Sequence, residues 1–124
     1  MSKTIMVVDD EPDIVLMVRL ILELDGYDVL EAGTAEDAFE VLEREHPDAL
    51  LLDIRLPGLD GWAVLDHLKA SSRLPQLPVI MISAHSTPST SARALDEGCS
   101  GYLTKPFDSE QLLSELNRVA QSDN

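Results

Sequence analysis

Short apolar runs alternate along this chain with segments whose apolar residues recur every three or four positions. Ile5–Val8, Ala49–Leu52 and Val79–Ile82 are continuous apolar runs, and Asp28–Glu31 and Gly101–Leu103 are shorter strand signals. Helical spacing fills the intervals. The first helix runs from Pro12 to about Leu24 and is stopped by Gly26. The second, Thr34 to Glu45, opens on a capping box, Thr34-Ala35-Glu36-Asp37, with Asp where Glu is usual. Its stripe is Ala35, Ala38, Phe39 and Leu42. A third helix, Asp60 to Lys69, rests on Val64, Leu65 and Leu68. The fourth, Pro88 to Glu97, is weak, since Leu95 is its only large apolar residue, and Gly98 ends it. The last, Ser109 to Ala120, turns Leu112, Leu113, Leu116 and Val119 inward.

Strands that are apolar throughout are covered on both faces, and such strands are usually parallel. Five strand–helix units predict an α/β fold, a doubly wound five-stranded parallel sheet with five helices. The flavodoxin-like strand order 2-1-3-4-5 would set strands one and three side by side at the switch point, where open sheets of this kind bind ligands. Residues 1–124 read as a single domain, with no repeat, linker or low-complexity stretch.

Composition narrows the function. The net charge of −14 repels nucleic acid and anionic membranes, so direct nucleic-acid binding by this chain is not expected. The apolar run after Met1-Ser2-Lys3-Thr4 is too short for a signal peptide or a membrane insertion. Cys99 is the one cysteine, which excludes an internal disulfide and suits a reducing, cytoplasmic setting. The tail Gln121-Ser122-Asp123-Asn124 fits either a natural end or the start of a linker, so the chain reads equally as a stand-alone protein or as a piece of a longer one.

The first apolar run ends in Asp9 and Asp10, and the third in Asp53. In the expected strand order these acids share one pocket. Packed like charges raise one another's proton affinity, so such a pocket calls for a cation. Oxygen ligands without nearby histidine or cysteine favour Mg2+. Taken alone, Asp9 and Asp10 fit a helix cap at Pro12 equally well. Lys105 follows the fifth strand and is either a solvated lysine or a cation aimed at the acids, with a cis Lys105–Pro106 bond favouring the second. Ser83 ends the fourth strand as either a phosphoryl-oxygen donor or a turn cap.

The distributed set resembles the receiver domain of two-component response regulators over essentially the whole chain. It comprises Asp9-Asp10, Asp53 with Pro57-Gly58, Ser83, and Lys105-Pro106, with 30 residues from Asp53 to Ser83 and 22 from there to Lys105. The resemblance implies that Asp53 accepts a phosphoryl group from a sensor histidine kinase or a histidine phosphotransfer protein. It implies Asp10 and Asp53 as direct Mg2+ ligands, Asp9 as a ligand through water, and the Arg55 main-chain carbonyl as a further ligand. Lys105 would pair with the phosphoryl group, while Ser83 and Tyr102 would act as switch residues. Serine where threonine is commoner keeps the hydroxyl and loses a methyl. Arg55 and His85 stand at positions that flank the pocket mouth and would tune the acyl-phosphate lifetime, or else simply face solvent.

The first helix is apolar beyond one face. Ile14, Val15 and Met17 are candidates for partner docking, deep burial being the other explanation. The resemblance implies a phosphoacceptor that acts on no external metabolite, with an output partner of unknown identity, as a monomer or a phosphorylation-dependent dimer. A magnesium-dependent phosphohydrolase would need an acid where Arg55 stands. A flavodoxin-like cofactor binder would need a Ser/Thr/Gly loop where Asp9-Asp10-Glu11 stands.

Overall fold

The sheet order is β2-β1-β3-β4-β5, with every pair parallel. This computed structural model describes residues 3–73, 76–84 and 87–121. The strands are β1 (Thr4–Val8), β2 (Asp28–Ala32), β3 (Ala49–Asp53), β4 (Val79–Ser83) and β5 (Gly101–Thr104). The helices are α1 (Pro12–Leu24), α2 (Ala35–Arg44), α3 (Gly61–Ala70), α4 (Pro88–Asp96) and α5 (Ser109–Gln121). All ten expected elements are present in the expected order. β3 and β4 each run one residue past their apolar run, to Asp53 and Ser83, because the ladder still pairs Asp53 with Ile82 and Ser83 with Thr104.

Alternate strand residues face opposite sides, so the apolar runs feed two cores. Met6, Val8, Leu50, Leu52 and Met81 pack against the helix residues Ala38, Leu42, Val64, Leu65 and Leu68. Ile5, Val7, Leu51, Ile80 and Ile82 pack against Val18, Leu22, Leu112, Leu116 and Val119. Cys99 lies in the first core, where burial pushes its thiol up to about 12, so it stays protonated and poorly nucleophilic at neutral pH.

Helix ends follow local chemistry. Thr34 Oγ1 accepts from the Asp37 N–H at 3.0 Å, and Asp60 Oδ1 accepts from the Ala63 N–H at 3.1 Å. Both residues are therefore caps just outside their helices rather than first turns. Gly26 ends α1 at φ +92°, a conformation that side chains with a Cβ resist.

α4 contributes a single buried residue, Ala94, and Leu95 is exposed. Polar and aromatic contacts hold it to α3 instead. The Arg93 guanidinium lies 3.9 Å over the Trp62 ring, Arg93 pairs with Glu97 at 2.6 Å, and Glu97 pairs with Lys69 at 3.3 Å. Trp62 is half-buried against the first core.

Candidate phosphoacceptor site

Four strand ends meet at one edge of the sheet. The register pairs Val8 with Leu52, which sets Asp9, just past β1, level with Asp53 at the end of β3. Both carboxylates are buried, whereas Asp10 is exposed. One oxygen from each of the three acids lies within 4.8 Å of the others.

Neither Asp9 nor Asp10 caps α1. The cap position is Glu11, whose side chain makes no capping bond. Asp9 Oδ1 instead accepts from the Glu11 N–H at 2.9 Å, and Asp53 Oδ1 accepts from the Arg55 N–H at 3.0 Å. Each buried acid thus has one oxygen fixed by backbone and one turned to the centre.

Lys105 fills that centre. Its own N–H donates to the Ser83 carbonyl at 2.8 Å, and the bond to Pro106 is cis. Its side chain is 10% exposed, which removes the solvated reading. Nζ donates to Asp53 Oδ2 at 2.9 Å and to Glu11 Oε1 at 2.7 Å. It lies 3.0 Å from Asp9 Oδ2, an ion-pair contact without hydrogen-bond geometry. Burial alone would lower the lysine's pKa, but its contacts with Glu11, Asp53 and Asp9 outweigh that and hold it above the ordinary value. Burial raises the pKa of Asp9; the Glu11 N–H and Lys105 oppose the rise, while the Asp53 charge adds to it.

The donor set suits a hard divalent ion. It offers three carboxylates, no nitrogen or sulfur ligand, and a buried Asp9 oxygen that accepts no hydrogen bond. The cavity over the site, about 360 Å³, is lined by Asp10, Glu11, Asp53, Arg55, Pro57 and Lys105.

The response regulator receiver domain family matches residues 5–117. The chain belongs to that family. It is 36% identical over 118 residues to the phosphate regulon transcriptional regulatory protein PhoB of Pseudomonas aeruginosa, covering 95% of this chain and 52% of that one. A CheY-like receiver domain protein of Methanospirillum hungatei superposes with a TM-score of 0.89 at 30% identity, covering 98% of this chain and 96% of the other. NtrX of Brucella abortus matches at a TM-score of 0.90 and 36% identity over 98% of this chain but 27% of its own. The chain therefore spans about half the length of PhoB, or less of longer relatives. Among the described residues no helix is long and apolar enough to cross a membrane.

Not every expected residue joins the receiver's central cluster. Ser83 is buried and lines a neighbouring cavity of about 410 Å³, with Ile54, Arg55, Trp62, Thr90 and Arg93. The Tyr102 ring packs on the first core, and its hydroxyl is buried without a hydrogen-bond partner. His85 lies outside the described residues. Ile14, Val15 and Met17 are half-buried against the second core, which corrects the picture of a helix buried all round. Only Val18 and Leu22 of α1 are fully buried, and Leu16, Leu20 and Leu24 are exposed. Glu11 is the site residue that sequence reasoning passed over. Its one signal was a third acid in the run, and such acids are usually solvated.

The loop after β3 is tied down where Gly61 N–H donates to the Ile54 carbonyl at 2.8 Å. A Cβ at position 61 would overlap the Asp53 carbonyl oxygen and come 2.9 Å from Ile54 Cα. Gly61→Ala is expected to destabilise the domain by about 1–3 kcal/mol through this overpacking, read as a lowered urea midpoint. An unchanged midpoint would mean that the loop yields freely.

Proposed function

We propose that this receiver takes a phosphoryl group from a phosphohistidine onto Asp53 and uses the acyl phosphate to switch a binding surface. The observation that carries the reading is the buried Asp53 carboxylate beside the Lys105 ammonium, with two further acids within ligand distance. An Asp53 oxygen attacks phosphorus, the P–N bond breaks as the P–O bond forms, and the imidazole of the donor takes up a proton. Water later attacks phosphorus, which releases inorganic phosphate and restores the carboxylate.

Asp10 and Asp53 would hold Mg2+ directly, with Asp9 through water and the Arg55 carbonyl as a further ligand; bound there, it supplies charge neutralisation for the phosphoryl oxygens. Lys105 supplies the second positive charge. Ser83 and Tyr102 then report the phosphoryl group to α4, β5 and α5. The whole of 1–124 acts as one domain in a cytoplasmic setting, as a monomer or a dimer formed on phosphorylation. The sensor histidine kinase or histidine phosphotransfer protein docks beside the pocket along α1, where Ile14, Val15 and Met17 are half-buried. The output partner is set by chain or protein outside this domain.

Intact mass after incubation with acetyl phosphate tests the chemistry. One added phosphoryl group is expected, and only when Mg2+ is present; no addition would leave a binding module without phosphoacceptor chemistry. Arg55 is exposed at the pocket wall, so Arg55→Ala is expected to change the decay of the phosphorylated form several-fold, by analogy with loss of one charged contact. Identical decay curves would assign Arg55 to solvent.

A further inference from the structure

We propose that the groove between α1 and α2 is a second docking surface, built for a cationic amphipathic helix of a partner protein. The groove encloses about 550 Å³. It opens beside β2, an edge strand that pairs only with β1. Val15 and Leu16 of α1, Ala32 of β2 and Val41 of α2 supply its apolar walls. Its acids are Asp9, Asp10, Glu31, Asp37 and Glu40, and no lysine or arginine lines it.

Ion pairing within the chain leaves this rim short of positive charge. Arg19 neutralises Glu31 from the side, and Lys105 serves Asp9 from the phosphoacceptor site. Asp10, Asp37 and Glu40 have no basic partner among the described residues. The apolar surface also continues out of the groove. Leu16 is 56% exposed, Leu20 53% and Leu24 89%, and their four-residue spacing puts them in one row along α1. A row of that kind is matched by a helix lying along it with its own apolar face.

The charge selects the occupant. A neutral apolar segment would desolvate three carboxylates without pairing them. At this groove the acids would repel a second copy of this chain, itself at −14, as they would an anionic lipid surface, so a dimer formed on phosphorylation uses another face. A free divalent ion would answer the acids and leave the leucines in water. Lysines or arginines flanking an apolar helix face meet both demands, with the basic residues at Asp37 and Glu40 and the apolar ones on Leu16 and Leu20. The groove adjoins the phosphoacceptor site, sharing Asp10 with the Asp53 pocket, but Leu16, Glu31, Asp37, Glu40 and Val41 belong to the groove and do not line that pocket.

The test is an amide chemical-shift titration of the isotopically labelled domain. The probe is a short synthetic peptide with leucine and lysine at helical four-residue spacing, compared with a scrambled peptide of the same composition. Saturable shifts confined to residues 15–20, 31–33 and 37–41 are expected, with affinity roughly tenfold above the scrambled peptide. An Asp37→Lys/Glu40→Lys variant should lose about tenfold, and Leu20→Asp should lose a similar amount. All three positions are exposed, and an unchanged circular dichroism spectrum checks that the variants are folded. Shifts spread over the acidic surface, equal affinity for both peptides, or binding unchanged by Leu20→Asp would reduce the groove to non-specific charge. Saturation of the residue 37–41 amides by Mg2+ alone would make it a cation site, and would equally overturn the proposal.

Discussion

Asp53→Asn is expected to abolish phosphoryl incorporation from acetyl phosphate, with no added mass even at Mg2+ concentrations that load the native chain fully. An amide oxygen is a far weaker nucleophile than a carboxylate, and the neighbouring groups are built around a negative charge at this position. Lys105 donates to Asp53 Oδ2 at 2.9 Å and the Arg55 N–H donates to Oδ1 at 3.0 Å. An amide oxygen can keep one of these partners, but its NH2 group cannot accept from the other. The fold should survive, because β3 is held by its ladder and apolar neighbours rather than by this carboxylate. Mass added at another acid, or full labelling of the variant, would move the acceptor away from Asp53. Loss of labelling together with loss of the folded circular dichroism signal would make the residue structural.

The strands were legible because each central run is buried on both faces and carries no polar residue to blur it. Their last residues were less so. Asp53 and Ser83 are polar and look like loop, yet the parallel ladder continues through them. The two acids after Val8 and the lysine before Pro106 could be placed at one edge by strand order alone. What hydropathy could not decide was the orientation of α1, where apolar residues occupy nearly every position. Packing sorts them, burying Val18 and Leu22 and leaving Leu16, Leu20 and Leu24 in water.

Contacts between residues distant in sequence were beyond reach of any local pattern. Glu11 meets Lys105 across 94 positions. The Arg73 guanidinium donates to the Leu42 carbonyl at 2.6 Å across 31 positions and so covers the end of α2. The Arg93–Trp62 stack belongs to the same class. It bears on function, because α4 has little apolar burial and is held by contacts that salt and charge changes weaken. Few buried contacts make a segment easy to move, and this segment borders the cavity that contains Ser83.

Lys105→Met is expected to slow phosphorylation by acetyl phosphate about a hundredfold, the scale of losing one positioned donor to developing charge. Methionine keeps much of the apolar stem and removes the ammonium. The variant should also lose on the order of 3 kcal/mol of stability without Mg2+, because it leaves buried acids uncompensated. The pH dependence has a definite sign. In the native chain the folded pKa of Lys105 is raised. Its stabilising contribution is therefore complete below the unfolded value of about 10 and is lost only as pH rises through the higher folded value. Neutral pH leaves it untouched. In Lys105→Met the burial that already raises Asp9 acts without the lysine's opposition, so Asp9 binds a proton more readily in the folded chain than in the unfolded one. Stability of the variant should then increase as pH falls from neutral towards the carboxylate range. Mg2+ should restore stability at neutral pH by supplying the missing charge, while leaving most of the rate defect in place, since one cation does not replace the second positive charge on the phosphoryl oxygens. Urea midpoints across pH, with and without Mg2+, separate these effects. A variant as stable as the native chain at neutral pH without metal would show that Lys105 is not needed to offset the buried acids. A variant phosphorylated at the native rate would remove Lys105 from the chemistry.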